Sequence, residues 1–114
     1  MTRSNMYITL SDGYKISCVA DSSSAPEQGY IVQSLLLPLL ALDNSKKEMR
    51  LIQEHCTMNE LRVNADYRYE IDLTTKTVAF FEERYFHKTG VFRRGENLTD
   101  RYDAYLLTLP NLKS

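Results

Sequence analysis

Met6-Tyr7-Ile8-Thr9-Leu10-Ser11-Asp12-Gly13-Tyr14-Lys15-Ile16-Ser17-Cys18 decides the first step of the fold. Met6, Ile8 and Leu10 form one apolar row, and Tyr14, Ile16 and Cys18 form another. A two-residue Asp12-Gly13 loop would pair Leu10 with Lys15 and send the rows to opposite faces. A three-residue Ser11-Asp12-Gly13 loop pairs Leu10 with Tyr14, Ile8 with Ile16 and Met6 with Cys18, which puts both rows on one face. The pattern predicts a hairpin with Gly13 left-handed in a bulged turn.

Downstream, Ser24-Ala25-Pro26-Glu27 fits a capping box, with serine as cap and glutamate three residues on. A helix is expected from Ala25 or Pro26 to Leu42. Its apolar residues, Tyr30 to Leu42, go nearly all the way round, as in a helix central to a core or covered by a partner. Pro38 lacks a donor and crowds the carbonyl four residues before it, so a kink or break is expected there. Ser45-Lys46-Lys47-Glu48 reads as a second capping box, opening a helix to about Met58 with Met49, Ile52 and Cys56 on one face.

From Leu61 the period becomes two. Tyr67, Tyr69, Ile71 and Leu73 alternate with Arg68, Glu70 and Asp72, predicting a strand with one wet face. Thr77 to Phe86 is apolar on both faces, as an inner strand is. A turn at Lys88-Thr89-Gly90 leads to a short strand, Val91 to Arg94, which Gly95-Glu96-Asn97 should break. Leu98, Tyr102, Tyr105, Leu106 and Leu109 have helical spacing, with Asn97 or Thr99 as cap and Pro110 as terminator; a closing strand over Tyr105 to Leu109 is the alternative. The order is β-β-α-α-β-β-β-α. The expected class is α+β: an antiparallel sheet with helices packed on one face, in a single domain spanning 1–114.

The totals narrow the function classes. With 14 basic and 15 acidic residues the net charge is −1, so no overall charge draws the chain to nucleic acid or membrane. The composition, 43% hydrophobic and 25% charged, is that of a globular chain. No charged start leads into a long apolar run, and the longest apolar stretch is short of the roughly 20 residues of a membrane span. The cytoplasm is the expected compartment. Cys18 and Cys56 read as reduced thiols in or near a core.

The cysteines, histidines, acids and glycines do not assemble a familiar reactive motif. His55 and Cys56 are adjacent, so on a helix they point about 100° apart and cannot readily form a nucleophile–base pair. Cysteine and histidine lack the paired spacing of a zinc site. Glu83 and His87 would lie about 13 Å apart along a strand. Four glycines, at 13, 29, 90 and 95, build no phosphate loop. No catalytic, cofactor or metal residue is therefore assigned.

One local feature stands out. Arg84, Lys88, Arg93 and Arg94 occur with no acid between them and are interleaved with Tyr85, Phe86, His87 and Phe92. Arg84, Lys88, Phe92, Arg93 and Arg94 form the candidate binding patch. The plain alternative has the aromatics facing the core and the arginines pairing with Glu82, Glu83 and Glu96. The expected function is a non-catalytic protein-interaction or regulatory module, with a protein partner or self-association as a homodimer. Its grounds are the all-round apolar helix and eight tyrosines. Single-stranded nucleic acid on the patch is the second reading, and an enzyme with an unrecognised acid–base site the third.

Overall fold

The computed structural model describes residues 2–109. β1 (Ser4–Thr9) and β2 (Lys15–Ala20) form the opening hairpin. Met6 pairs with Cys18 and Ile8 with Ile16, as the apolar rows require. Leu10 N donates to Tyr14 O and Gly13 N to Leu10 O, both at 2.8 Å, and Gly13 takes φ +89°. Only Tyr14 departs from the expectation: it closes the turn but stands exposed.

The region from 25 to 42 is not one helix. Pro26–Gln28 is a single 3-10 turn, ended by Gly29 at φ +84°. Ser24 does not cap it. Its hydroxyl is buried and donates to Thr2 O, and Ser4 Oγ donates to it. The cap contact comes one residue later, from Ala25 N to Gln28 Oε1 at 2.9 Å. The main helical segment then contains a π turn, Val32–Leu36, running directly into α1 (Leu37–Leu40). The π turn answers the Pro38 problem. Leu37 N reaches Val32 O, five residues back, and the widened turn relieves crowding at the proline ring. The helix is irregular there but unbroken.

α2 (Ser45–His55) is capped by Asn44, whose Oδ1 accepts from Lys47 N at 3.0 Å. The Ser45 capping box does not form, because Glu48 is used elsewhere. It is fully buried and accepts from Ser11 N and Ser11 Oγ, tying the helix to the first turn. α2 ends earlier than expected, and β3 (Thr57–Met58) pairs with β2. β4 (Tyr67–Asp72), β5 (Thr77–Phe86) and β6 (Val91–Asn97) form an antiparallel meander. Gly95-Glu96-Asn97 does not break β6; the strand absorbs it as a register shift opposite Phe81 to Glu83. α3 (Thr99–Leu106) closes the described chain as a helix. The expected stop at Pro110 lies outside the described residues.

The fold is α+β with helices on one face, but the sheet is mixed. Its order is β3-β2-β1-β4-β5-β6, and β1 runs parallel to β4. The two hairpin units are each antiparallel, as hairpins must be. They meet through their first strands, because residues 59–66 carry the chain from the β3 edge across to the far side of β1. Asn5 clamps that crossing: its Nδ2 donates to Arg62 O at 3.0 Å, and Arg62 N donates to its Oδ1 at 2.8 Å.

One core forms between sheet and helices. Met6, Ile8, Cys18, Tyr69, Ile71 and Phe80 face Ile31, Leu35, Leu36, Leu39, Ile52 and Tyr102. The Tyr69 and Phe80 rings lie 4.8 Å apart, and Tyr69 Oη donates to Ser24 O at 2.6 Å. Truncating one of these leucines to alanine would cost about 2–5 kcal/mol. Of the apolar helical residues, Ile31, Val32, Leu35, Leu36 and Leu39 are buried inside the fold, while Tyr30 is exposed and Leu37, Leu40 and Leu42 stay half-buried.

Candidate interaction surface

Period two gives every strand a second face, and no helix covers it. A charged lattice occupies its centre. Arg68 Nε donates to Glu83 Oε1 at 2.9 Å, Nη1 to Glu70 Oε2 at 3.1 Å and Nη2 to Tyr7 Oη at 3.0 Å. Its guanidinium lies 4.1 Å over the Tyr7 ring. The Glu83 side chain is 1% exposed. It also accepts from Asn5 Nδ2 and Tyr7 Oη, both at 2.8 Å. Arg94 makes a forked contact with Glu70, at 2.6 and 2.5 Å, and covers the Phe81 ring.

Burial sets the electrostatics of this lattice. Desolvation, then the bond to Glu83 and its charge, push the Tyr7 hydroxyl well above the ordinary tyrosine range. Burial opposes ionisation of Glu70, but its bonds to Arg94 and Arg68 prevail and hold the carboxyl low. The tyrosine is therefore a fixed donor and the carboxylate a fixed acceptor. Such a lattice positions chain segments.

The lattice residues Tyr7, Arg68 and Glu70 line a cavity of about 550 Å³, together with Thr9, Lys15, Ser17, Asp72 and Thr77. Phe92 lines a second cavity of about 580 Å³ with Lys15 and Ser17 of β2 and Leu61 of the crossing. In the sheet β6 lies four places from β2, so the β5–β6 hairpin bends back across the uncovered face.

The outer part of that hairpin carries the expected patch and divides it. Arg84 pairs with Glu82 at 2.9 Å. Arg94 goes to Glu70, not to Glu82, Glu83 or Glu96. Phe92 packs on Tyr85 with centroids 4.7 Å apart and ring planes tilted by 53°, and Tyr85 meets His87 edge-on at 4.9 Å. Adjacent strand residues point to opposite faces, so Arg93 leaves Arg94 and Phe92 behind. Its guanidinium lies 5.6 Å over the Phe86 ring. Phe86, His87, Lys88, Thr89 and Arg93 surround a surface hollow of about 430 Å³. Phe86 is 46% exposed and Val91 39%. Among the described residues no carboxylate lies within 4.0 Å of Lys88 or Arg93.

Of the lattice residues, sequence alone points to Glu83, as a partner for the hairpin arginines, and not to Tyr7, Arg68 or Glu70 as a cluster. Their signal was the polar half of the alternation in β1, β4 and β5. Among the described residues no three or more of His, Cys, Asp and Glu converge on a metal position, and no helix is long and apolar enough to cross a membrane. No family model, curated protein or solved structure matches the chain.

Proposed function

We propose that the chain is a non-catalytic protein-interaction module, and that the outer end of its β5–β6 hairpin grips an acidic surface of a partner protein. The observation that carries this reading is the hollow around Phe86. It joins an exposed aromatic ring to Lys88 and Arg93, two cations without a carboxylate partner among the described residues. Interfaces are enriched in aromatic residues and arginine. Within the monomer Phe86 has only the guanidinium of Arg93 over its ring, whereas a partner carboxylate over Arg93 would pair that cation and cover the exposed ring. Nucleic acid is less well served. Base stacking needs free ring faces, while Tyr85 is packed by Phe92 and His87, and Arg84 and Arg94 are neutralised within the chain.

The test compares the wild type with Phe86→Ser and Arg93→Glu, using quantitative co-purification from cells that express the chain. Leu107→Ser, another exposed apolar residue, is the control. The expected result is a protein retained by the wild type and the control, lost with either hairpin variant and released by salt. Retention indifferent to both hairpin variants overturns the reading. Retention abolished by nuclease replaces it with the nucleic-acid reading. Sedimentation showing a dimer that Phe86→Ser dissolves would make the partner a second copy.

A further inference from the structure

Cys18 and Cys56 both lie against Met6 at one edge of the core. Cys18 lies on β2 with no exposure; Cys56 caps the end of α2 and is partly exposed. The strand register explains the approach. Asn59 N donates to Ser17 O at 2.9 Å, and the next pair along the ladder is Cys18 with Met58. Beside a hydrogen-bonded pair lies a non-hydrogen-bonded one, where side chains come closest, and twist draws diagonal neighbours together. Cys56, two residues before Met58, is that diagonal neighbour. Met6 confirms the grouping: it faces Cys18 across the β1–β2 pair, and Cys56 Sγ donates to its Sδ at 3.7 Å. The Cys18 thiol is held far above its ordinary range, first by Cys56 beside it and then by burial.

We propose that Cys18 and Cys56 are an oxidisable pair, converted to an internal disulfide by a low-molecular-weight disulfide such as oxidised glutathione. Cys56 is the entry point, because solvent reaches it and not Cys18. Its thiol loses a proton, and the thiolate attacks one sulfur of the oxidant. A mixed disulfide forms and one small thiolate leaves, taking up a proton. The Cys18 thiol then loses its proton and attacks the Cys56 sulfur, and the second small thiolate leaves. Two protein thiols and one small disulfide become one protein disulfide and two small thiols. The electron pair lost by the protein cysteines reduces the oxidant. The backbone can yield to the shorter contact: Cys56 is already extended, at φ −133° and ψ 153°, and β3 beyond it is two residues long. The product is neutral, which suits a site that opposes thiolate formation, and it ties the sheet to the end of α2.

The experiment incubates the full chain with oxidised glutathione at about pH 8, where thiolate is more available. Samples are quenched in acid, unfolded, alkylated and analysed by intact mass and peptide mapping. The expected product has lost both alkylation sites without gaining glutathione, joins the Cys18 and Cys56 peptides, and unfolds at a higher temperature until reduced. Cys18→Ala should stop at a glutathione adduct on Cys56. A wild-type chain that stops at that adduct, keeps both thiols, or links only between molecules overturns the proposal. The wild-type readout decides even if the Cys18 variant does not fold.

Discussion

Tyr7 Oη donates to Glu83 Oε2 at 2.8 Å although β4 lies between their strands. The two long side chains reach over β4 on the uncovered face, where Arg68 of β4 joins them. Glu83 is thus where the hairpin is fastened to the rest of the sheet. Asn5 joins at the same oxygen and Arg68 at the other.

Removing the Glu83 carboxylate should therefore cost more than an ordinary ion pair. Glu83→Ala leaves Arg68 facing an apolar gap and Tyr7 without its acceptor. Breaking a buried pair at one partner costs about 3–5 kcal/mol. Arg68 keeps Glu70 and some solvent, so the lower end is expected. Glu83→Gln retains an acceptor and should lose roughly half as much. Urea unfolding measures both, and losses below about 0.5 kcal/mol in the alanine variant would mean the lattice fastens nothing.

Alkaline pH should unfold the chain through its buried tyrosines. Burial comes first among the causes that raise Tyr7, Tyr69 and Tyr102, with Tyr102 pushed up to about 12. A raised folded pKa contributes stability that is full below the unfolded value, about 10 for tyrosine. The contribution drains as pH rises, because the unfolded chain ionises while the native one does not. Absorbance near 295 nm should show these three of the eight tyrosines protonated at about pH 11. They should ionise only with loss of structure. Tyr7→Phe should remove one tyrosine from that late step. A single smooth titration of all eight, with structure intact, would contradict the burial of these hydroxyls.

The legible parts of the fold are those where local chemistry leaves one solution. The hairpin at Gly13 was readable because a one-residue slip would have turned the Ile16 row to the wrong face. β5 was readable from its apolar run. The parallel contact of β1 with β4 was not, since alternation records which face is buried and not which strand lies alongside. Arg94 shows the same limit. Its neighbours in sequence are Glu82, Glu83 and Glu96 by hairpin logic, yet it pairs with Glu70 on β4, two strands away. Phe86 and Arg93 could be named as an aromatic–basic pair; that they share a face while Arg94 takes the other needed the register.

The N-terminus of α2 gives a sharp local test. Ser45 with Glu48 matches the capping pattern, but Asn44 supplies the cap and Glu48 is drawn to Ser11. Asn44→Ala should cost about 1 kcal/mol, and Ser45→Ala only a few tenths. Thermal unfolding of the two variants measures the difference. Equal losses, or a larger loss at Ser45, would place the cap where the pattern alone would put it.

Gly95 tests the packing that shapes the hairpin. A methyl group there would sit 2.6 Å from Arg84 Nε, 2.7 Å from Glu82 Cβ and 2.9 Å from Glu82 Oε1. The arginine end can swing away, but Glu82 Cβ is fixed to the β5 backbone. Glu82 Oε1 also accepts from Arg84 Nη2 at 2.9 Å and from Glu96 N at 3.1 Å. Gly95→Ala must therefore push β6 outward or break both bonds. Overpacking of this kind costs about 1–3 kcal/mol. Faster amide exchange should be confined to β6 and the facing part of β5, because the Glu83 fastening lies on the opposite face. An alanine variant with wild-type stability and unchanged exchange would show that β6 has room at Gly95 and that the close approach of the two strands is not what holds their register.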